Sequence, residues 1–514
     1  MGRRPLVTDR PDAAPQESPG AADSAGQASR RKVLSLPGGR GVLRSIYRAV
    51  PSMAVTTESI LRQRLRSVKG SSSATEAPAS SEPREAQPLP IRAGGRAMII
   101  ERSRRSRLLV REALSAFEPE EILSYDDPED AIEELRRQPV SLLVVGSVDA
   151  EGRNSALVLE RVRHERLLPP HAVVVAISSE RSTRRIASLI EHAPDACVLK
   201  PLSVEVLRNR LRDVLEVKHR LQPVLAALAD GRPDAARLLC RGIAAERSPQ
   251  RFAAWRATID WLIDNDRFAE VPQAVDEAMR LGTQSWMLLA LARAHLKQSR
   301  LDEAEQFLDL LLEIWPETLA AYDLRAQVAM RRGAHQEALA WLEQANARTE
   351  FNLGRARQTG QEATRAGQLG RAESAYAEIV TRVGGTDMLQ PADAMRLVSV
   401  LGSRGRLTQA SVIAAQERRV IGEGPDAKVM RALLAQRRAS REAGPLTAER
   451  ALASLLHELE EAGEGATPER ILEVIEACLA HGWRADALRI ARRLLESERA
   501  ESAELERLRQ LLKR

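Results

Sequence analysis

The chain has 514 residues, which is too long for one compact hydrophobic core, so we expect two or more domains joined by linkers. Only 3% of the residues are aromatic, whereas Ala, Leu, Arg and Glu are abundant, and this composition favours helices over sheets. The sequence contains neither a secretory signal nor an apolar run of the about 18 residues that a membrane-spanning helix needs. We therefore expect a cytoplasmic protein.

The cysteines and histidines indicate neither a metal site nor a disulfide framework. Cys197, Cys240 and Cys478 lie far apart in apolar surroundings, which is typical of buried free thiols. None of the eight histidines belongs to an HExxH motif or to another paired ligand spacing. We therefore predict no metal and no cofactor.

The positive charge is concentrated in an N-terminal tail. Residues 1–95 contain 15 Lys and Arg against 8 Asp and Glu, so they account for the net charge of +6 and leave the rest close to neutral. Residues 1–29 and 70–95 are rich in Pro, Ser, Ala, Gln and Gly. We expect them to be disordered, because they can bury too little apolar surface to offset chain entropy.

Two short amphipathic helices are predicted inside this tail, at residues 41–50 and 59–69. One interpretation is that both are weakly helical segments without a partner. Another is that residues 30–69 bind an anionic membrane surface or an acidic partner, as basic amphipathic helices do. Nucleic-acid binding is the less favoured alternative, because it would depend on the tail alone.

Residues 96–219 alternate short apolar runs with amphipathic helical patterns, which predicts an α/β domain. Such alternation favours a parallel sheet covered by helices on both faces, the doubly wound arrangement. The predicted strands are Ala97–Ile100, Ile122–Tyr125, Leu142–Gly146, Val173–Ser178 and Ala196–Leu199. The predicted helices lie near residues 104–116, 128–137, 155–167 and 181–192, with a fifth from residue 203.

Four segments of this domain, taken in order, resemble the response-regulator receiver domain of bacterial two-component signalling. They are MIIERSRRSRLLVREAL, VSLLVVG, VVVAISSE and CVLKPLSVEVL. The resemblance implies a site at the carboxyl ends of the strands. In receivers an acidic pair there holds Mg²⁺, an Asp takes a phosphoryl group, and a hydroxyl group and a lysine sense it.

The positions that match this site have lost part of its chemistry. Glu101 and Arg102 stand at the acidic pair, so one metal ligand has become a cation. Gly146 stands where the acceptor Asp is expected, whereas Ser178 and Lys200 match the hydroxyl group and the lysine. Because glycine has no side chain to phosphorylate, the resemblance implies a degenerate, pseudo-receiver domain.

The rest of the chain, residues 220–514, shows helical patterns that repeat. Ala304, Ala338 and Ala372 lie 34 residues apart in similar segments, and we expect such small residues on the first helix of each pair. Two further small residues fill the close-packed position of that helix, Ala326 and Gly360. The period resembles tetratricopeptide repeats, which stack helix pairs into a solenoid with a concave groove.

These features lead to the hypothesis of a phosphorylation-independent bacterial signalling adaptor, not an enzyme, that binds protein partners through its repeats and its pseudo-receiver. Arg325, Arg355 and Arg357 are candidate partner-binding residues, because guanidinium groups bind carboxylates in bidentate fashion. One alternative is a response regulator with a non-standard phospho-acceptor, such as Asp149. Another is binding of the tail to nucleic acid or to membrane, the latter placing the protein at the periphery of the inner membrane.

Overall fold

The structure of the chain is a computed structural model. It describes residues 95–146, 155–169, 171–178, 183–246, 250–497, 499–500 and 502–513. The predictions made for the N-terminal tail, including its two amphipathic helices and its binding to membrane or acidic partners, lie outside these residues. So does Asp149, the alternative acceptor.

The first part of the described chain forms a five-stranded parallel sheet with the strand order β2-β1-β3-β4-β5. The strands are β1 (Arg96–Ile100), β2 (Glu121–Tyr125), β3 (Leu142–Val145), β4 (Val173–Ser178) and β5 (Ala196–Leu199). The order reverses between β1 and β3, which is the topological switch point of a flavodoxin-like sheet.

Helices cover both faces of this sheet, so the predicted doubly wound α/β arrangement is confirmed. They are α1 (Arg104–Ser115), α2 (Pro128–Arg137), α3 (Ser155–His164), α4 (Thr183–Glu191) and α5 (Val204–Ala229). Alternate residues of β1 face opposite layers: Ala97 and Ile99 join the core formed with α1 and α5, whereas Met98 and Ile100 join the core formed with α2 and α3. All four are fully buried.

Helix α5 connects the sheet to the repeats without a loop. Its 26 residues include Leu207 and Leu211, which pack under the sheet, and Val224 and Leu228, which are buried in the half that packs against the next two helices. The predicted boundary at 219/220 lies inside this helix. The two domains are therefore joined by continuous helical backbone.

The remaining described elements are helices that pack in consecutive pairs. They are α6 (Pro233–Ala245), α7 (Arg251–Asp264), α8 (Val271–Met279), α9 (Ser285–Lys297), α10 (Leu301–Ile314), α11 (Leu319–Arg331), α12 (His335–Asn346), α13 (Leu353–Arg365), α14 (Leu369–Val383), α15 (Pro391–Ser403), α16 (Leu407–Gln416), α17 (Arg418–Ile421), α18 (Pro425–Glu442), α19 (Pro445–Ala462), α20 (Pro468–Ala480), α21 (Arg484–Glu496) and α22 (Ser502–Leu512). Within the described ranges, none is both long and apolar enough to cross a bilayer.

The 34-residue spacing corresponds to one helix pair, and the array is a helical-repeat solenoid. Ala304, Ala338 and Ala372 are fully buried, but they lie on the second helix of each pair (α10, α12 and α14) and not on the first, where we expected them. Gly360 does lie on a first helix, α13, and a Cβ there would come within 2.6 Å of the Tyr376 ring on α14. The close approach of the two helices thus requires glycine at this position.

Candidate functional site

The sheet brings four of the five predicted receiver positions to one edge. Glu101 directly follows β1, Gly146 follows β3, Ser178 ends β4 and Lys200 follows β5. Because all these strands are parallel, their carboxyl ends meet at the same edge. Backbone hydrogen bonds fix the arrangement: the Gly146 N–H donates to the Ile100 carbonyl at 2.8 Å, and the Lys200 N–H donates to the Ser178 carbonyl at 2.8 Å.

The Glu101 carboxylate fills the centre of this edge. The side chain is almost completely buried, and the Lys200 ammonium donates to its Oε2 atom at 2.9 Å. The Ser103 backbone N–H donates to the other oxygen at 3.0 Å. A Cβ atom at Gly146 would lie 2.0 Å from Oε2, so the carboxylate occupies the volume in which a side chain at position 146 would begin.

Arg102, the fifth position, does not join this cluster by any contact seen among the described residues. Its side chain is exposed, and its backbone carbonyl accepts a hydrogen bond from the Arg107 guanidinium at 3.0 Å. In the described part of the chain, no group of three or more His, Cys, Asp or Glu residues is placed to hold a metal ion. Among the described residues of this edge, the Glu101 carboxylate is buried and forms an ion pair with Lys200.

The first candidate partner-binding arginine, Arg325 on α11, is held by the repeats themselves. Its guanidinium forms ion pairs with Glu305 and, at 3.4 Å, with Asp309 on α10. It also lies over the ring of Trp341, with its central carbon 4.7 Å from the ring centroid. These contacts leave the side chain about nine-tenths buried and connect α11 to both neighbouring helices.

Arg357 and Arg355, both on α13, also have carboxylate partners within the chain. Arg357 donates to Asp393 through two nitrogens, at 2.7 and 3.0 Å, and to the Met388 carbonyl at 2.7 Å. Arg355 donates to Asp323 at 2.7 Å and to the Thr349 hydroxyl at 2.8 Å. A partner's carboxylate would have to displace these intramolecular partners before it could bind, so the geometry favours a structural role for all three arginines.

Arg355 also contacts the sheet domain. The Nη2 atom of its guanidinium group donates to Glu191, at the end of α4. Beside it, the Glu160 carboxylate on α3 accepts hydrogen bonds from the backbone N–H groups of Leu353 and Gly354, both at 3.4 Å. A carboxylate from one domain thus caps a helix of the other, at the end where the helix dipole is positive. Burial raises the pKa of Glu160 despite these bonds.

Further charged contacts surround this junction. Arg136 and Arg161 of the sheet domain reach Asp387, which precedes α15, at 2.7 and 3.4 Å respectively. Arg184 on α4 donates to the backbone carbonyls of Thr349 at 2.8 Å and Asn346 at 3.1 Å. This surface could not be predicted from the sequence. Charged residues on a helix look the same in sequence whether they face solvent or another domain, and residues so far apart in sequence give no periodic signal.

Comparison with known proteins returned only distantly similar solved structures and leaves the function of the chain open. No protein-family model matches the sequence, and neither does any curated protein. Among solved structures, the chain is similar to YrrB, described as a TPR protein with an unusual peptide-binding site (14% identity, 45% of this chain and 96% of that one, TM-score 0.27). It is also similar to PilF of Pseudomonas aeruginosa (14%, 41% and 95%, 0.31).

A third similar structure is the C-terminal part of a TPR repeat-containing protein from Cytophaga hutchinsonii (14% identity, 49% of this chain and 99% of that one, TM-score 0.34). At such low identities and TM-scores, the functions of these proteins cannot be assigned to this chain. The receiver resemblance of the sheet domain remains a prediction from sequence.

Proposed function

We propose that the chain is a phosphorylation-independent bacterial signalling adaptor, in which a pseudo-receiver is combined with tetratricopeptide-like repeats that bind protein partners. The parallel sheet and its strand order support the pseudo-receiver, and the stacked helix pairs support the binding role. We propose that it is not an enzyme, because the described edge of the sheet offers a neutralised ion pair rather than a free nucleophile with its base.

One observation carries this proposal, namely the place of the Glu101 carboxylate. In receivers, phosphorylation puts a negative group next to the lysine that follows strand five. Here the Glu101 carboxylate lies 2.9 Å from Lys200 and occupies the space in which a side chain at position 146 would begin. The sheet edge thus has a carboxyl group beside its lysine without phosphorylation, and the proposed adaptor requires no phosphoryl group to place one there.

The proposal is tested by affinity capture with the full-length chain as bait. One half of the bait is exposed to acetyl phosphate and Mg²⁺, and the other half to Mg²⁺ alone. We expect both to retain the same protein partner with the same affinity, because the Glu101–Lys200 pair is present in both. A partner retained only after exposure to acetyl phosphate would contradict the proposal and favour a response regulator with a non-standard acceptor.

The choice of variants for such an experiment follows from the burial of the three arginines. Replacing Arg325, Arg355 and Arg357 with Ala would leave their carboxylate partners without counter-charges, and loss of binding would then report a damaged fold. A variant in an exposed, weakly paired residue is more informative. Arg371→Ala is suitable, because its ion pair with Glu343 is about half exposed at both ends.

A further inference from the structure

The last helix of the chain, α22, contacts the array across several helix pairs. It follows α21 after the five residues 497–501 and packs against α20. Its Glu504 carboxylate, however, lies 3.7 Å from the Arg365 guanidinium on α13. Helix α13 is the first helix of the pair that lies three pairs before the last, so α22 contacts both the last pair and this much earlier one.

The surface under α22 is here called the C-terminal groove and is formed by the first helices α13, α15 and α20, together with Leu369 and Tyr376 of α14. A cavity of about 390 Å³ lies between these helices and α22. The groove contributes mostly charged and polar side chains to this cavity, among them Arg365, Arg396, Ser399, Arg470 and Glu473. Helix α22 contributes Arg507, Gln510 and Leu511.

Helix α22 contacts the groove with one amphipathic face. Leu508 and Leu511 are buried and belong to the same hydrophobic cluster as residues of α20. The Arg507 guanidinium lies 3.4 Å from the Glu476 carboxylate. Glu504, Leu508 and Leu511 are spaced four and three residues apart, so they lie on the same side of the helix. The chain's own helix thus shows which side-chain pattern the groove accepts.

The fit between α22 and the groove is incomplete. Nε of Arg470 and Oε2 of Glu504 are buried, and neither has a hydrogen-bond partner among the described residues, although both side chains make other contacts. Buried polar atoms without partners weaken an interface. A partner helix that paired the Arg470 Nε atom and filled more of the cavity would therefore bind the groove better than α22 does.

We propose that the C-terminal groove is the binding site for an amphipathic helix of a partner protein, and that α22 occupies this site until the partner displaces it. The partner helix carries a glutamate followed by leucines four and seven positions later, as in Glu504, Leu508 and Leu511. Recognition of a helix in a groove depends on side chains at such spacings. This inference rests on the proposed function, since it assumes that the repeats bind proteins.

The probe for this site is a fluorescein-labelled synthetic peptide of residues 500–514, AESAELERLRQLLKR. It is titrated against the full-length chain and against a full-length variant in which Leu508→Asp and Leu511→Asp detach α22. In the unaltered chain, α22 is tethered beside the groove and competes with the peptide at an effective concentration of roughly 1 mM. The variant lacks this competition, so we expect it to bind the peptide at least about tenfold more tightly than the unaltered chain. Equal binding by the two, or binding by neither, would overturn the proposal.

A matched control carries the same two changes on a neighbouring helix. Leu488→Asp with Leu495→Asp alters leucines of α21 that are 49% and 52% exposed, and this variant should bind the peptide as weakly as the unaltered chain. If the α22 variant loses its helical circular-dichroism signal, full-length Glu504→Arg takes its place, because it replaces the ion pair with Arg365 by a repulsion between two arginines. Tighter peptide binding is again expected, and unchanged binding would overturn the proposal.

A charge exchange identifies the groove itself as the binding surface. Adding Arg365→Glu to the α22 variant should weaken binding of the peptide several-fold, and a peptide with Glu504→Arg should recover it. Failure of the exchange to restore binding would place the peptide elsewhere and overturn the assignment. None of these results depends on phosphoryl uptake or on the captured partner, so this inference and the proposed function can fail separately.

Discussion

Arg355 of the repeats and Glu191 of the sheet domain form a buried ion pair across 164 positions of sequence. The two side chains are only 1% and 10% exposed, and Arg355 also donates to Asp323 on the neighbouring first helix. Burial raises the pKa of the Glu191 carboxyl more than the nearby guanidinium lowers it. Removing Arg355 would therefore leave the Glu191 carboxyl group buried without this counter-charge.

Replacing Arg355 with Gln is therefore expected to lower the free energy of unfolding by about 3–5 kcal/mol, the usual cost of removing one partner of a buried pair. The measurement is urea unfolding followed by circular dichroism. Arg137→Gln is the control, because Arg137 is 71% exposed and its pair with Glu133 should contribute less than about 1 kcal/mol. Similar losses in both variants would contradict a special role for Arg355.

Gly146→Ala tests the close fit at the edge of the sheet. The added methyl group would lie 2.0 Å from Oε2 of Glu101, so the carboxylate must move. We expect a loss of about 1–3 kcal/mol in the free energy of unfolding, as for other overpacked sites. In a chain that also carries Glu101→Asp, the same change should cost clearly less, because the shorter side chain leaves room. Equal costs in both backgrounds, measured by chemical denaturation, would show that the two positions are independent.

His192, which follows α4, makes stability depend on pH. The side chain is 6% exposed, and burial, with smaller contributions from Arg163 and Arg355, lowers its pKa from 6.5 to about 4. Between pH 4 and pH 6.5, His192 is therefore protonated in the unfolded chain but neutral in the folded chain. The free energy of unfolding should thus fall by up to about 3 kcal/mol as the pH is lowered from 6.5 to 4.

The measurement compares urea unfolding of the unaltered chain and of His192→Gln at several pH values in this window. At each pH, the difference in the free energy of unfolding between the two proteins reports the contribution of His192 alone. Glu160 and Glu191 contribute equally to both proteins, and their raised pKa values stabilise the fold as the pH falls, which is the opposite effect. A constant difference between the unaltered chain and His192→Gln across the window would refute the assignment.

Gly360→Ala tests the packing of a helix pair. Alanine is a better helix former than glycine by about 1 kcal/mol, yet here the methyl group would meet the Tyr376 ring at 2.6 Å. We expect net destabilisation of about 1–3 kcal/mol. Gly242→Ala on α6 is the matched control, because its Cβ would meet no described atom within 4 Å and the change should stabilise the chain. Thermal unfolding measures both changes: Gly360→Ala should lower the melting temperature and Gly242→Ala should raise it.

The secondary structure of the sheet domain could be predicted from sequence almost completely. The predicted strand Val173–Ser178 has the observed bounds, and Ala97–Ile100 misses only one residue. Continuous apolar runs of this length leave few alternatives to a buried parallel strand. The 34-residue period indicated the helix pairs for a similar reason, since small residues recur wherever two helices approach closely.

The tertiary relationships could not be predicted. Gly146 was interpreted as a missing acceptor, but nothing in the sequence shows that the Glu101 carboxylate lies in the space this glycine leaves open. Likewise, Arg355 and Arg357 were interpreted as partner-binding residues because their carboxylate partners, such as Asp393, are distant in sequence. Local patterns determine helices and strands, whereas pairs of charges are formed only by the final packing.

The most direct test of a phosphorylation-independent sheet domain is the intact mass of the full-length chain after incubation with acetyl phosphate and Mg²⁺. A phosphorylatable receiver protein treated in parallel shows that the reagent is active. We predict that the mass of this chain stays unchanged, because Gly146 offers no acceptor and the Glu101 carboxylate is already paired with Lys200. A phosphoryl adduct that peptide mapping assigns to residues 96–219 would contradict the account.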